Sequence, residues 1–128
     1  METLITKGIK ISVQPDYQAA YSRPATNRYV FSYHIIIENQ SNATVQLMRR
    51  HWIIWDSDGS TREVEGEGVI GQQPVLEPGQ RHEYSSWCDL STGIGKMYGG
   101  YLMVRPDDGS KFMARIPVFE LVAPVKMN

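Results

Sequence analysis

Alternation of apolar and polar side chains in steps of two constrains this chain more than any other feature. Tyr29, Phe31, Tyr33, Ile35 and Ile37 share one parity, while Val30, Ser32, His34, Ile36 and Glu38 take the other. Successive strand residues point to opposite faces of a sheet, so such a run predicts a strand with one buried face. Ile9, Ile11 and Val13 alternate with Lys10, Ser12 and Gln14 in the same way. A third run, Val45 to Asp56, is apolar on both faces in its second half. Further strands are expected at about Arg81 to Asp89, Lys96 to Arg105 and Ser110 to Leu121. Turn chemistry separates them: Gln40-Ser41-Asn42, Asp58-Gly59, Glu77-Pro78-Gly79-Gln80 and Asp107-Asp108-Gly109. Pro15 and Pro24 are assigned to a loop, and Thr61 to Pro78 reads as a glycine-rich connection. In the last strand Phe112, Ala114 and Ile116 share a parity that Phe119 and Leu121 abandon, which places a bulge at Pro117.

No stretch of about twelve residues carries a helical stripe, so the chain is expected to be all-β, an antiparallel β-sandwich. Its 128 residues suffice for one domain, taken as 1–128, that needs neither metal nor disulfide to fold. The net charge of −1 provides no general attraction for nucleic acid or anionic lipid, and neither partner is expected. The lone Cys88 suits a reducing compartment. No apolar run approaches the length of a membrane span and no leader pattern opens the chain, so a cytoplasmic protein is expected.

The motifs point to binding more readily than to catalysis. Gly66-Glu67-Gly68-Val69-Ile70-Gly71 spells G-x-G-x-x-G. A dinucleotide fold uses those glycines to bring backbone amides to a pyrophosphate at a helix N-terminus. Here Pro74 follows closely, the flanks read β, and Glu65 and Glu67 add negative charge, so a bend between strands is the simpler account. An anion nest of exposed amides at Gly66, Gly68 and Gly71 is the alternative. Asp56, Glu63, Glu65 and Glu67 could gather around a divalent ion at the end of the sheet. His34, His51 and His82 show no metal spacing, and His34 falls on the solvent side with Ser32 and Glu38. His82 and Ser86 share a strand face about 13 Å apart, beyond proton transfer. Arg49 and Arg50 flank an aromatic, yet consecutive strand residues cannot line one groove. If Met48, Trp52 and Ile54 point inward, then His51, Ile53 and Trp55 form an outward row where a sandwich should be polar. Such a row suggests a partner surface, unless a neighbouring segment covers it.

Arg50-His51-Trp52-Ile53-Ile54-Trp55-Asp56 and Val64-Glu65-Gly66-Glu67-Gly68-Val69-Ile70-Gly71 closely resemble the ApaG family. So do Pro74-Val75-Leu76-Glu77-Pro78-Gly79, Met97-Tyr98-Gly99-Gly100-Tyr101-Leu102-Met103 and Phe112-Met113-Ala114-Arg115-Ile116-Pro117-Val118-Phe119. The resemblance runs in order across nearly the whole chain. It implies a fibronectin type III-like β-sandwich and a stand-alone bacterial protein linked to cobalt and magnesium handling. Related domains in eukaryotic F-box and DNA-polymerase-interacting proteins imply a protein-binding role. The family's glycine motif maps onto Gly66, Gly68 and Gly71, and no catalytic residues are implied.

Residues and resemblance together predict a non-enzymatic protein-binding module using His51, Ile53 and Trp55, with no obligate cofactor. The alternative is a small-ligand sensor taking a phosphate compound or divalent cation at the Gly66 to Gly71 loop. Exposed sheet edges also allow a homodimer through strand pairing.

Overall fold

A computed structural model describes residues 1–124. The strands are β1 (Glu2–Thr6), β2 (Ile9–Tyr17), β3 (Tyr29–Asn39), β4 (Val45–Asp56), β5 (Thr61–Glu67), β6 (Val75–Leu76), β7 (Arg81–Leu90), β8 (Ile94–Val104) and β9 (Lys111–Val122). Two short 3-10 turns, Ala19–Tyr21 and Pro24–Thr26, link β2 to β3. One antiparallel sheet has the order β1-β2-β3-β7, the other β5-β4-β8-β9, with β6 paired to the start of β4. The predicted β-sandwich is the observed architecture.

Three strands are additions to the sequence reading. β1 pairs with β2 as far as Val13. β5 lies where a glycine-rich connection was expected, and β6 holds only Val75 and Leu76. The expected loop at Pro15 is also replaced by strand, since β2 runs on to Tyr17 with Pro15 opposite Tyr33. Beyond Val13 the outer edge of β2 has no β1 partner, so a residue without an N–H costs no ladder bond there. The bulge at Pro117 is present: Met97 pairs with Phe119 and Gly99 with Ile116, leaving Pro117 and Val118 opposite Tyr98 alone.

The inner faces meet along the expected parities. Ile9, Ile11, Val13, Phe31, Tyr33, Ile35 and Ile37 from one sheet bury against Leu47, Trp52, Ile54, Tyr101, Ile116, Phe119 and Leu121 from the other. Trp52 lies at the centre, with ring centroids 5.3 Å from Tyr33, 5.9 Å from Phe119 and 6.4 Å from Tyr101. The two contacts with Phe119 and Tyr101 are close to edge-on, the arrangement that aromatic quadrupoles favour.

In β4 the expected parity is corrected. The register between Leu47 and Arg49 shifts against β8, so Met48 is an extra residue. Leu47 faces the core in place of Met48, and Arg50, Trp52, Ile54 and Asp56 take the inward positions after the bulge.

The sandwich is closed on one side and open on the other. β1 and β2 pack against β9, and the Arg115 amide donates to Thr6 Oγ1 at 3.2 Å. On the opposite side the free edges of β5 and β7 face each other across a cleft, bridged at one end by Arg62. Among the described residues no helix is long and apolar enough to cross a membrane.

Trp52→Ala should lower the unfolding free energy by about 3–5 kcal/mol, because the hole it leaves lies among fixed aromatic rings. Urea denaturation measures this, with Ile5→Ala as the control. Ile5 is 55 % exposed, and its truncation should change stability by less than about 0.5 kcal/mol. Equal effects of the two would overturn the central placement of Trp52.

Candidate functional site

Strand β4 separates two candidate surfaces. Its inward residues floor the cleft between the sheets, and its outward residues carry the predicted partner row.

The cleft is a cavity of about 290 Å³ walled by Tyr33, Arg50, Trp52, Val64, Tyr84 and Cys88, with Ile70 and Gly71 at its lip. Each glycine of the G-x-G-x-x-G motif has a local cause. Gly66 lies opposite Arg50, and a Cβ there would sit 2.8 Å from the guanidinium that runs beneath it. A Cβ at Gly68 would collide with the Gln72 carbonyl, and Gly71 holds a φ of +73°. The loop closes as a two-residue hairpin between Val69 and Gln72, whose central residues Ile70 and Gly71 both have positive φ. That is type I′ geometry, which favours Asn-Gly. A β-branched residue there is strained, yet Ile70 is 64 % exposed and gains little burial in return.

The loop's amides are largely committed. Gly68 N donates to Met48 O at 2.9 Å, Val69 N to Gln72 O at 2.8 Å, and Gln72 N to Val69 O at 3.0 Å. A phosphate reading of Gly66, Gly68 and Gly71 therefore rests on the turn-tip amides alone.

The outward row is half-buried. His51 pairs across the sheet with Glu65 and Gly100, Ile53 with Glu63 and Tyr98, and Trp55 with Thr61 and Lys96. Lys96 Nζ sits 5.2 Å from the Trp55 ring centroid, a cation–π contact that shades one side of the indole. Of the four carboxylates expected to gather, two do so. His51 Nε2 lies 3.7 Å from Glu63 and 3.5 Å from Glu65, sealed from solvent and without a hydrogen-bond partner. These three offer donor atoms within 4.8 Å of one another, a set that could ligate a divalent ion and is equally an imidazole held by two acids. Asp56 instead turns inward, where it accepts from Ser91 N at 2.7 Å and Thr92 Oγ1 at 2.5 Å. Glu67 stands opposite Arg49.

Sequence spacing missed one constellation. His34 Nδ1 is 2.8 Å from Ser85 Oγ and its Nε2 is 2.9 Å from Glu83, a serine–histidine–acid chain on the outer face of the first sheet. Only the β3–β7 register, with His34 opposite Ser85, brings them together. Arg81 also grips Glu83 at 2.7 Å. The His34 and Glu83 side chains are 40 % and 35 % exposed on an open sheet face. Nothing there encloses a substrate or aims a pair of free amides at an oxyanion, both of which acyl transfer requires.

In and beside the cleft, burial disfavours ionisation of three phenols and one thiol. Tyr33, Tyr84 and Tyr101 all titrate above the ordinary phenol range, chiefly through desolvation. The Cys88 thiol is pushed up to about 11 by burial, against an opposing pull from Arg62. The folded thiol thus keeps its proton to higher pH than an unfolded one. Its contribution to stability is complete below about pH 9 and is lost as pH rises through about 11.

Two outcomes test this geometry. Ile70→Asn should raise stability by about 1 kcal/mol, since Asn-Gly suits the turn and relieves the strain; a loss of stability in urea would contradict the strained assignment. Wild type should lose thermal stability between about pH 9 and 11 more steeply than Cys88→Ala. Parallel slopes in differential scanning calorimetry would show that the thiol is not a source of the loss.

Known proteins share this architecture. The family model for the ApaG domain matches residues 19–105. The chain is 48% identical to Protein ApaG of Anaeromyxobacter dehalogenans over the full length of both chains. It is 46% identical to Protein ApaG of Brucella canis, covering 97% of this chain and 95% of that one. A crystal structure of the ApaA protein of Bordetella pertussis superposes with a TM-score of 0.88 at 42% identity, covering 92% of this chain and 95% of that one. In sequence and in fold, therefore, this chain belongs to the ApaG family.

Proposed function

We propose that this protein is a non-enzymatic binding module that docks a partner protein on the outer face of the β5-β4-β8-β9 sheet. The observation that carries this reading is the position of Ile53 and Trp55. They occupy the middle of a sheet face on which neighbouring side chains, and no further layer among the described residues, shade them. Tyr98 extends the apolar centre, and Leu102 and Met113 pair beyond Gly100. Around this centre stand Glu63 and Glu65 on one flank and Arg49, Lys96 and Arg115 on the others. An aromatic and aliphatic centre inside a charged rim is the usual anatomy of a specific protein interface.

The alternative, a phosphate or cation sensor at the glycine loop, has less support. The loop's amides are mostly paired within the protein, and Glu63 and Glu65 project from the face of β5 away from the cleft. Catalysis has less still, because the serine–histidine–acid chain found among the described residues lies on an open face.

Ile53→Glu tests the reading. The substitution leaves the inner face untouched, so the melting temperature should stay within about 5 °C of wild type. Immobilised wild-type protein should retain a partner from lysate of its own source that the folded variant loses at least tenfold. Equal retention by the two proteins would overturn the assignment of this face.

A further inference from the structure

We propose that the cleft between β5 and β7 is a binding pocket for a small organic monocarboxylate with a flat apolar body, anchored by Arg50 and Tyr84. This goes beyond the docking face, which lies on the other side of β4.

The argument rests on an imbalance of hydrogen-bond donors. Arg50 is carried between the sheets by the bulge at Met48 and lines the cavity. Its Nη1 donates to the carbonyls of Glu67 and Gly68, each at 3.1 Å. Among the described residues Nε and Nη2 have no hydrogen-bond acceptor, and Arg50 has no carboxylate partner. Neither nitrogen is sealed, since among the described residues the one buried side-chain nitrogen or oxygen lacking a partner is His51 Nε2. A guanidinium whose Nε and Nη2 find no protein acceptor keeps two donors available to an anion that enters the cleft.

Tyr84 adds a second donor. Tyr101 is fully buried, and its hydroxyl has Tyr84 as its hydrogen-bond partner. A buried O–H left without an acceptor is more costly than a hydroxyl oxygen left without a donor, so Tyr101 donates and Tyr84 accepts. The Tyr84 proton is then free, and Tyr84 borders the cavity. No Asp or Glu lines that cavity to receive any of these donors.

The remaining walls define the rest of the ligand. Trp52, Ile54, Val64 and Met97 offer apolar and aromatic surface. The volume of about 290 Å³ admits a small molecule and excludes a folded segment. One guanidinium whose Nη1 is already engaged presents a two-donor edge, Nε and Nη2, which matches the two oxygens of a carboxylate. A phosphate dianion would call for more positive charge than one arginine supplies.

Benzoate is the probe, followed through backbone amide and indole shifts of the intact protein. Saturable shifts at Val64, Ile70 and Tyr84 are expected, weakening as salt is added. Benzamide, the neutral isostere, should bind at least about tenfold more weakly. Tyr84→Phe keeps the ring but removes both the donor and the acceptor of Tyr101, so its melting curve is checked first; the folded variant should bind benzoate about three- to tenfold more weakly. Arg50→Met, if it folds, should abolish the benzoate preference. The proposal fails if benzoate produces no shifts up to about 20 mM, if benzamide binds equally well, or if Tyr84→Phe changes nothing. It fails too if phenyl phosphate binds more than tenfold tighter than benzoate, which would transfer the site to phosphate esters. Benzoate shifts confined to Ile53 and Trp55 would likewise overturn it.

Discussion

One extra residue in β4 governs the rest of the molecule. Without the bulge at Met48, Leu47 and Trp52 would face opposite sides of their sheet, because a strand alternates at every step. With it, both point into the core, and Trp52 reaches Tyr33, Tyr101 and Phe119. The same shift sends Arg50 inward, which no continuous alternation would do with Leu47 already buried. The bulge also exposes the Met48 carbonyl, which accepts from Gly68 N at 2.9 Å and Gln73 Nε2 at 3.0 Å. The start of the core, the arginine in the cleft and the anchor of the glycine loop are thus consequences of one insertion.

The two long sides of the sandwich are treated differently. β1 and β2 lie against β9 and seal one side. On the other, β5 and β7 keep their edges apart, and Arg62 spans the gap to the Asp89 carbonyl. Gly66 lets the Arg50 guanidinium pass under β5, so the first glycine of the motif serves the cleft through a side chain that a Cβ would displace. The outer face of β4 carries a separate chemistry, with His51, Ile53 and Trp55 shaded by cross-strand neighbours. A single strand therefore divides a donor-lined pocket from an apolar sheet face.

Much of this was legible in the residues. The alternation in β2, β3 and the inner half of β4 marked the core, and the parity change at Pro117 marked its bulge, because apolar burial writes itself directly into the spacing. β5 left no such trace. Its inward residues Arg62, Val64 and Gly66 face an open cleft, so no apolar period was needed there. β1 escaped notice for a related reason: Leu4 and Ile5 are exposed on an edge strand. The Met48 bulge was invisible because Met48 and Leu47 are both apolar, and either could have filled the inward position. His51 was correctly placed on the outer row, but its approach to Glu63 and Glu65 depends on a β4–β5 pairing that the glycine-rich reading did not contain.

The sequence by itself determined the all-β class, the main strands, the turns that separate them and the family to which the chain belongs. These follow from local chemistry: side-chain alternation, glycine and proline backbone preferences, and the order of motifs. Only the tertiary structure decided that Arg50 points between the sheets, that His34 meets Ser85 and Glu83, and that β5 and β7 leave a cleft open. The reason is register. Which residue stands opposite which across a ladder depends on bulges and on strands far apart in the chain, and one residue of slip exchanges the two faces of a strand.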